Sequence, residues 1–450
     1  MSLVALALFL GSGCSDREPT ATDDGTGSSQ AQQPNVLLIV IDTLRKDHLS
    51  AYGYERKTSP ALDLLSASGI RYDGAIAQAP WTTPSIGALM TSMYPSALGI
   101  EGEQNALADA LVLLPEALLE AGYQTAGVIS HSFLGSAWNF QQGFQVFDEG
   151  NVQGHSAVTS EGVTRDATAL LRQLSQDEAP FFLFVHYFDP HAAYVEHESH
   201  DFGGPQGYVG DVESGLLFRE LRRMEGTTDE ADLAEIIRLY DSEIAFTDRQ
   251  IGLLLDELRA TGEFDDTLII VTADHGEEFL DHKKFGHTKS LFDELINVPL
   301  IIKPPASMEL EPAVVEEPVA LIDVYPTILG AASIPVAKEL AGRPLLPEAP
   351  TERILFSETG RVRSSIAAIQ GTFKYIEHAN GRTRLFDRAS DPNEKASVLA
   401  EHPELVDSLK NALTTWRSTV DAKVQRGEKV ELDDDATQRM KELGYGGDDH

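Results

Sequence analysis

Carboxylates and imidazoles at the carboxyl ends of buried strands are the groups with which open α/β sheets hold cations and move protons, and this chain has three sets of them. Asp42 closes the apolar run Asn35-Val-Leu-Leu-Ile-Val-Ile41. Asp274 and His275 follow Thr267-Leu-Ile-Ile-Val-Thr272, while His186, Asp189 and His191 lie at the end of the run 180–187. One Asp in such a place often does no more than cap the next helix. Three sets on one sheet point to a site. Thr82 adds a hydroxyl just before Thr83-Pro84, a pair with the N-cap and first-turn chemistry of a helix start. A helix end there would turn amides and the positive end of its dipole towards an anionic ester and a developing alkoxide. The competing reading makes Thr82 and Thr83 capping hydroxyls and nothing more.

The elements that must carry these groups are legible as alternating runs. Residues 35–41, 180–187, 267–272 and 297–303 have the length and unbroken apolarity of strands buried on both faces, and 124–130 reads as another strand. Ser59-Pro60 opens a helix that Gly69 stops, a second helix runs from about Leu114 to Gly122, and a long amphipathic segment covers 231–258. Strands alternating with helices predict an α/β fold with a large mixed, mostly parallel sheet sandwiched by helices. From about Thr351 the segments shorten, as in Phe373-Lys-Tyr-Ile376, and a helix near 403–419 follows, which predicts a small C-terminal α+β domain.

Lys and Arg total 35 against 71 Asp and Glu in 450 residues, a formal charge of −36. That acidity excludes nucleic acid or an anionic membrane surface as a broad partner and suits a solvated surface. Residues 3–10 are apolar and lead into small residues and Cys14, the only cysteine, so the folded part has no internal disulfide. The pattern resembles a bacterial lipoprotein signal with Cys14 as the lipidation site, although Gly11 stands where Leu is usual and no basic residue precedes the apolar run. An ordinary cleaved signal is the alternative. The expected organisation is a signal at 1–14, a polar tether at 15–33, a large domain at 34–350, and a small subdomain with an acidic tail at 351–450. Export to the periplasm or anchoring at the outer membrane of a bacterium follows.

Taken together, Pro34-Asn-Val-Leu-Leu-Ile-Val-Ile-Asp-Thr-Leu-Arg45, Trp81-Thr-Thr-Pro-Ser85, His186-Tyr-Phe-Asp-Pro-His191, Thr272-Ala-Asp-His-Gly-Glu277 and Gly286-His287 resemble, in content and order, the sulfatase branch of the alkaline phosphatase superfamily. Asp323-Val-Tyr-Pro-Thr327, Leu385-Phe-Asp387 with Asp391-Pro392, and Leu443-Gly-Tyr445 extend the resemblance to the C-terminal part. The family's nucleophile motif is Cys-x-Pro-Ser-Arg, with the Cys oxidised to formylglycine. Here Thr82 occupies the Cys position and Ile86 the Arg position, so formylglycine cannot form.

The resemblance implies that Asp42, Asp274 and His275 are metal ligands, with Thr82 as a nucleophile whose oxygen also touches the metal. Many sulfatases carry a second Asp where this chain has Thr43. Fewer carboxylates and one imidazole move the expected single divalent ion from calcium towards magnesium, manganese or zinc. His131, His191 and His287 match positions that contact substrate, and His191 or His287 would protonate the leaving oxygen. A second metal on Asp189, His191 and His287 is an alternative, and for His131 a structural role competes equally. Arg45 and Asp47 are expected to support the Asp42 strand end; His186 and His282 are left undecided, and the insertion 203–226 either borders the pocket or is a surface loop.

Formylglycine carries a geminal hydroxyl that can expel sulfate by re-forming an aldehyde. A threonine ester lacks that route and must be cut by water or another acceptor. The expectation is therefore a metal-dependent hydrolase of sulfate or phosphate-type esters on a small molecule, glycan or lipid headgroup, with the chemistry of Thr82 favouring phosphorus. Phosphodiester or phosphonate hydrolysis and phosphoryl transfer are alternatives, and a sulfatase-like binding protein without catalysis is a reading of a different class.

Overall fold

The computed structural model describes residues 33–432 and 437, apart from 101, 153–157, 206, 337–339, 349 and 360–364. The expected signal with Cys14, the tether up to residue 32, and Leu443-Gly-Tyr445 lie outside the described residues.

Along the chain the first strands are β1 (Asn35–Ile41), β2 (Ile70–Ile76), β3 (Gln124–Val128), β4 (Val146–Asp148), β5 (Phe181–Tyr187) and β6 (Thr267–Ala273). The short pair β7 (Glu278–Phe279) and β8 (Phe285–Gly286) follows, then β9 (Asn297–Lys303), β10 (Ala313–Val315) and β11 (Val319–Ala320). All but β7 and β8 join one sheet in the order β10-β2-β9-β6-β1-β5-β3-β4, with β11 also on β2. Strand β9 runs against its neighbours β6 and β2, while β1 lies parallel to both β5 and β6. Every residue of β1, β5 and β6 is buried, which is what their unbroken apolar sequences require of strands covered on both faces.

The helices are α1 (Pro60–Ala67), α2 (Thr82–Thr91), α3 (Leu114–Glu120), α4 (Ser160–Leu174), α5 (Phe218–Met224), α6 (Glu230–Ala260), α7 (Asp293–Ile296), α8 (Val324–Ala331) and α9 (Pro403–Asp421). The long α6 packs beside α1 and α4, and α2 packs beside α3 and α8. A second, antiparallel sheet comprises β12 (Leu355–Glu358), β13 (Ser365–Gln370), β14 (Phe373–His378) and β15 (Thr383–Asp387). Its period-two pattern serves two cores: Ile366, Ala368, Tyr375 and Leu385 pack with Leu409, Leu413 and Trp416 of α9, whereas Ala367, Ile369, Ile376 and Phe386 join the main core.

One boundary near the site differs from expectation. Helix α2 begins at Thr82 with extended Trp81 as its N-cap, so Thr82 and Thr83 are first-turn residues and neither caps the helix through its side chain. Trp81 is fully buried and its indole donates to Thr359 O at 3.0 Å, which fixes the entry of the chain two residues earlier than the Thr-Pro pair suggests.

Candidate active site

Strand β1 lies between β5 and β6, with Val40 opposite both His186 and Thr272. Their carboxyl ends are therefore flush, and Asp42, His186, Asp274 and His275 emerge at one edge. Thr43 then turns the chain with φ 51°, a left-handed conformation that a β-branched residue adopts only when held. Its amide donates to Asp274 Oδ1 at 3.3 Å and its carbonyl accepts from Tyr240 at 2.7 Å. Arg45 braces the same turn: it pairs with Asp47 and Asp281 and donates to Glu277 O, while its own amide donates to Tyr240.

Hydrogen bonds fix how the imidazoles face the centre. His275 Nδ1 lies 2.9 Å from Gly276 O, so that nitrogen carries the proton and Nε2 presents a lone pair. Nε2 is 3.4 Å from Asp274 Oδ2, 3.6 Å from Asp42 Oδ1 and 3.5 Å from Thr82 Oγ1. The Thr82 hydroxyl also supports the charge of Asp274, and Ser85 Oγ donates to Asp274 O at 2.6 Å, tying α2 to the end of β6. At His131 the arrangement is reversed: Nδ1 accepts from Phe133 N, leaving the proton on Nε2, which points at Asp42 Oδ2 from 3.9 Å. His131 is thus built as a donor.

His191 donates through Nδ1 to Ala192 O at 2.9 Å, so proton exchange falls to Nε2. His287 Nδ1 meets Glu277 Oε1 at 3.0 Å, and Glu277 Oε2 accepts from Tyr194 at 3.2 Å. The rings form one cluster, with His275 and His287 centred 4.5 Å apart, His287 and His191 5.1 Å, and His191 and His131 6.1 Å.

Asp42, Thr82, Asp274, His275 and Glu277 are wholly buried. Burial, reinforced by the charges of Asp274 and Glu277, pushes the Asp42 carboxyl well above its usual range. Burial likewise raises Asp274, against the pull of His275 and two amides, and lifts Glu277 to about 7. Burial and the neighbouring His275 hold His186 neutral, down to about 3. Both oxygens of Asp42 and Oδ2 of Asp274 are buried without a hydrogen bond. Two crowded carboxylates with three unsatisfied oxygens between them fit a divalent cation, and Asp42, Asp274 and His275 Nε2 are the donors such an ion would meet.

The residues singled out by sequence, Asp42, Thr82, His131, His191, Asp274, His275 and His287, all converge here. Asp189 does not: its carboxylate accepts from Thr159 N, Ser160 N and Ser160 Oγ at the start of α4, so the second metal set of Asp189, His191 and His287 is not assembled. His282 is also spoken for, bonded to Glu294 at 2.7 Å and stacked on Phe292. In the insertion 203–226, Phe218 packs against His287, so that segment borders the site. Sequence reasoning missed the part of Glu277. Its signal was available, since it sits two residues beyond His275 in the same strand-end motif.

A parallel-sheet edge that gathers paired carboxylates, imidazoles and a first-turn hydroxyl defines an α/β ester hydrolase. The Sulfatase family model matches residues 34–334, and the chain belongs to the sulfatase family. It is 24% identical over 476 residues to arylsulfatase K of Bos taurus, covering 92% of this chain and 87% of that protein. Its identity to the ulvan-active sulfatase of Formosa agariphila is 25% over 471 residues, with 96% and 88% covered. A structure solved in complex with its substrate D-glucosamine-2-N,6-O-disulfate shares the fold with TM-score 0.74 at 19% identity, over 87% of this chain and 98% of that one. A phosphonate monoester hydrolase of Agrobacterium radiobacter gives TM-score 0.67 at 21% identity, over 86% and 96%.

Proposed function

We propose that this protein hydrolyses a sulfate or phosphate-type ester through Thr82 as nucleophile. The observation that carries the reading is the position of Thr82 Oγ1, in the first turn of α2 and 3.5 Å from His275 Nε2 at the meeting of Asp42 and Asp274. A divalent ion held by Asp42, Asp274 and His275 would supply positive charge for the ester oxygens and lower the pKa of a hydroxyl beside it. Because α2 begins at Thr82 itself, the positive end of its dipole lies at the same hydroxyl and favours an anion. His131 offers its Nε2 proton to an ester oxygen. His287, oriented by Glu277, donates a proton from Nε2 to the leaving oxygen, with His191 beside it as the other candidate. Burial of the whole set excludes bulk water and strengthens each of these charges. As the Thr82 oxygen attacks, its proton passes to Asp274, to which the hydroxyl is bonded, the bond to the protonated leaving oxygen breaks, and the ester left on Thr82 is then cleaved by water.

The sulfated substrates in the names of its relatives support a sulfate ester, carried on a sugar. Thr82 itself favours a second reading, transfer at phosphorus, because a threonine ester has no aldehyde route of release. Turnover of aryl sulfate, phosphate monoester, phosphodiester and phosphonate substrates, each with calcium, magnesium, manganese and zinc, separates the two. Thr82→Ala should lower kcat by at least about 10³-fold with the fold intact by circular dichroism. Undiminished turnover by that variant ends the nucleophile assignment. Export as a lipoprotein lipidated at Cys14 is part of the same proposal, and labelling with a radioactive fatty acid, lost in Cys14→Ser, checks it.

A further inference from the structure

His186 is a buried imidazole that the proposed reaction does not use. In β5 alternate residues share a face, so His186 continues the row of Phe182 and Phe184. An imidazole in place of a third phenyl ring is costly in such a row unless its nitrogens are satisfied. It is wholly buried, and neither Nδ1 nor Nε2 has a hydrogen bond. Opposite it on β1 stands Val40, two residues before Asp42 and on the same face. The ring therefore leans over Asp42, with Nε2 3.8 Å from Oδ2.

Ligand atoms of Asp42, His186 and Asp274 lie within 4.8 Å of one another. His275 Nε2 adds a fourth, 3.6 Å from Asp42 Oδ1 and 3.4 Å from Asp274 Oδ2. The separations of His275 Nε2 from both carboxylates suit atoms bound at about 2.1 Å to one ion, whereas His186 Nε2, 3.8 Å from Asp42 Oδ2, stands farther out and would close on the ion as it binds. We propose that His186 is a metal ligand through Nε2, completing with Asp42, Asp274 and His275 a site of two imidazoles and two carboxylates. The inference rests on the metal-dependent reading above and goes beyond it in donor set. Two nitrogens and two carboxylate oxygens select a first-row transition ion such as zinc or manganese, and are poorly matched to calcium, which takes six to eight oxygens.

Copper substitution counts the nitrogens without reference to turnover. Full-length protein stripped by chelation and reloaded with Cu²⁺ should show the superhyperfine splitting of two imidazole nitrogens in its electron paramagnetic resonance spectrum. His186→Phe should show one, as should His275→Ala. Because phenylalanine continues the Phe182 and Phe184 row, His186→Phe should keep or raise the melting temperature of the metal-free protein. It should weaken Zn²⁺ binding at least tenfold in calorimetry and shrink the rise in Tm on adding Zn²⁺. His186→Ala, carried in parallel, gives the same count without added ring volume. Two nitrogens and undiminished Zn²⁺ affinity in both His186 variants, with one nitrogen lost in His275→Ala, overturn the inference and leave the metal reading standing. A wild-type protein that takes up neither ion overturns both.

Discussion

At Glu277 one carboxyl group serves two partners: Oε1 meets His287 Nδ1 at 3.0 Å and Oε2 accepts from Tyr194 at 3.2 Å. The pairing fixes the orientation of His287 and leaves its Nε2 to exchange the proton, as a carboxyl group behind an imidazole does. Glu277 is a positioning residue, acting through His287. Glu277→Gln keeps the size of the side chain but removes the charge, so kcat should fall about 10- to 100-fold. The pH dependence that the Glu277 carboxyl contributes, with burial raising it to about 7, should disappear from the pH–rate profile. A profile that keeps its shape while only its height changes would assign Glu277 a structural part instead. Why the sequence reveals Asp42 and Asp274 but not this partnership is a matter of what spacing encodes. A carboxylate at a strand end is visible as an apolar run that stops, whereas the contact from Glu277 to His287 depends on the β7–β8 turn bringing residue 287 back beside residue 277.

Elements place these groups by close approach of backbone as much as by side-chain packing. Gly276 shows this: a Cβ built there would stand 2.0 Å from Glu294 O, and its amide donates to Leu295 O at 2.9 Å, so the strand-end loop bearing Asp274 and His275 lies directly on α7. Gly276→Ala should force that loop outwards and destabilise the protein by about 1–3 kcal/mol, the usual cost of overpacking. Urea denaturation would read the loss, and weaker Zn²⁺ binding by the same variant would show that the ligands moved with the loop. At this scale the sequence was most informative. The bounds read for β1 and β9 match, and those of α1, α3, α6 and α9 fall within about two residues, because continuous apolar runs and Pro or Gly punctuation encode them locally. Strand β2 was not recognised: Arg71, Asp73 and Gly74 interrupt its apolar pattern, and its pairing with β9 is irregular between Tyr72 and Ala75. The undecided His186 had the same cause in reverse, since a histidine inside an apolar run gives no hint of what it faces.

For the whole molecule, the small sheet is fastened to the large one by a buried charge. Lys374 of β14 is fully buried and donates to Leu291 O, to Asp293 of α7 at 2.7 Å and to Glu394 at 2.8 Å. Lys374→Met should cost about 3–5 kcal/mol, because it leaves buried Glu394 without its cation and Asp293 with only its longer pairing to Arg388 at 3.3 Å. A lowered urea midpoint would record it; an unchanged one would mean that the apolar contacts alone hold the two sheets.

The balance of buried acids also sets how stability follows pH. Asp248, which accepts from Ala61 N and Leu62 N at the start of α1, is raised by burial to about 7 despite those bonds, and Glu278 is raised to about 7 for the same reason. In the unfolded chain both titrate near ~4. Between ~4 and about 7 the folded protein therefore holds protons that the unfolded chain has released, so stability contributed by these groups is complete below the lower value and is lost as pH rises through the upper one. Repulsion among the surface charges of a −36 protein grows as pH rises and lowers stability in the same direction. Asp47 and Asp293 act oppositely. Their arginine and lysine partners hold both carboxylates below the usual range, and what they contribute is lost only as pH falls below ~4. Metal-free protein should thus be most stable near pH 4–5 and lose a few kcal/mol by pH 7, levelling off above. Asp248→Asn, neutral at every pH, should flatten that decline by changing stability little at pH 5 and raising it relative to wild type at pH 8. Urea titrations of both proteins at intervals from pH 4 to pH 8 test this, and parallel curves for wild type and variant would remove Asp248 from the account.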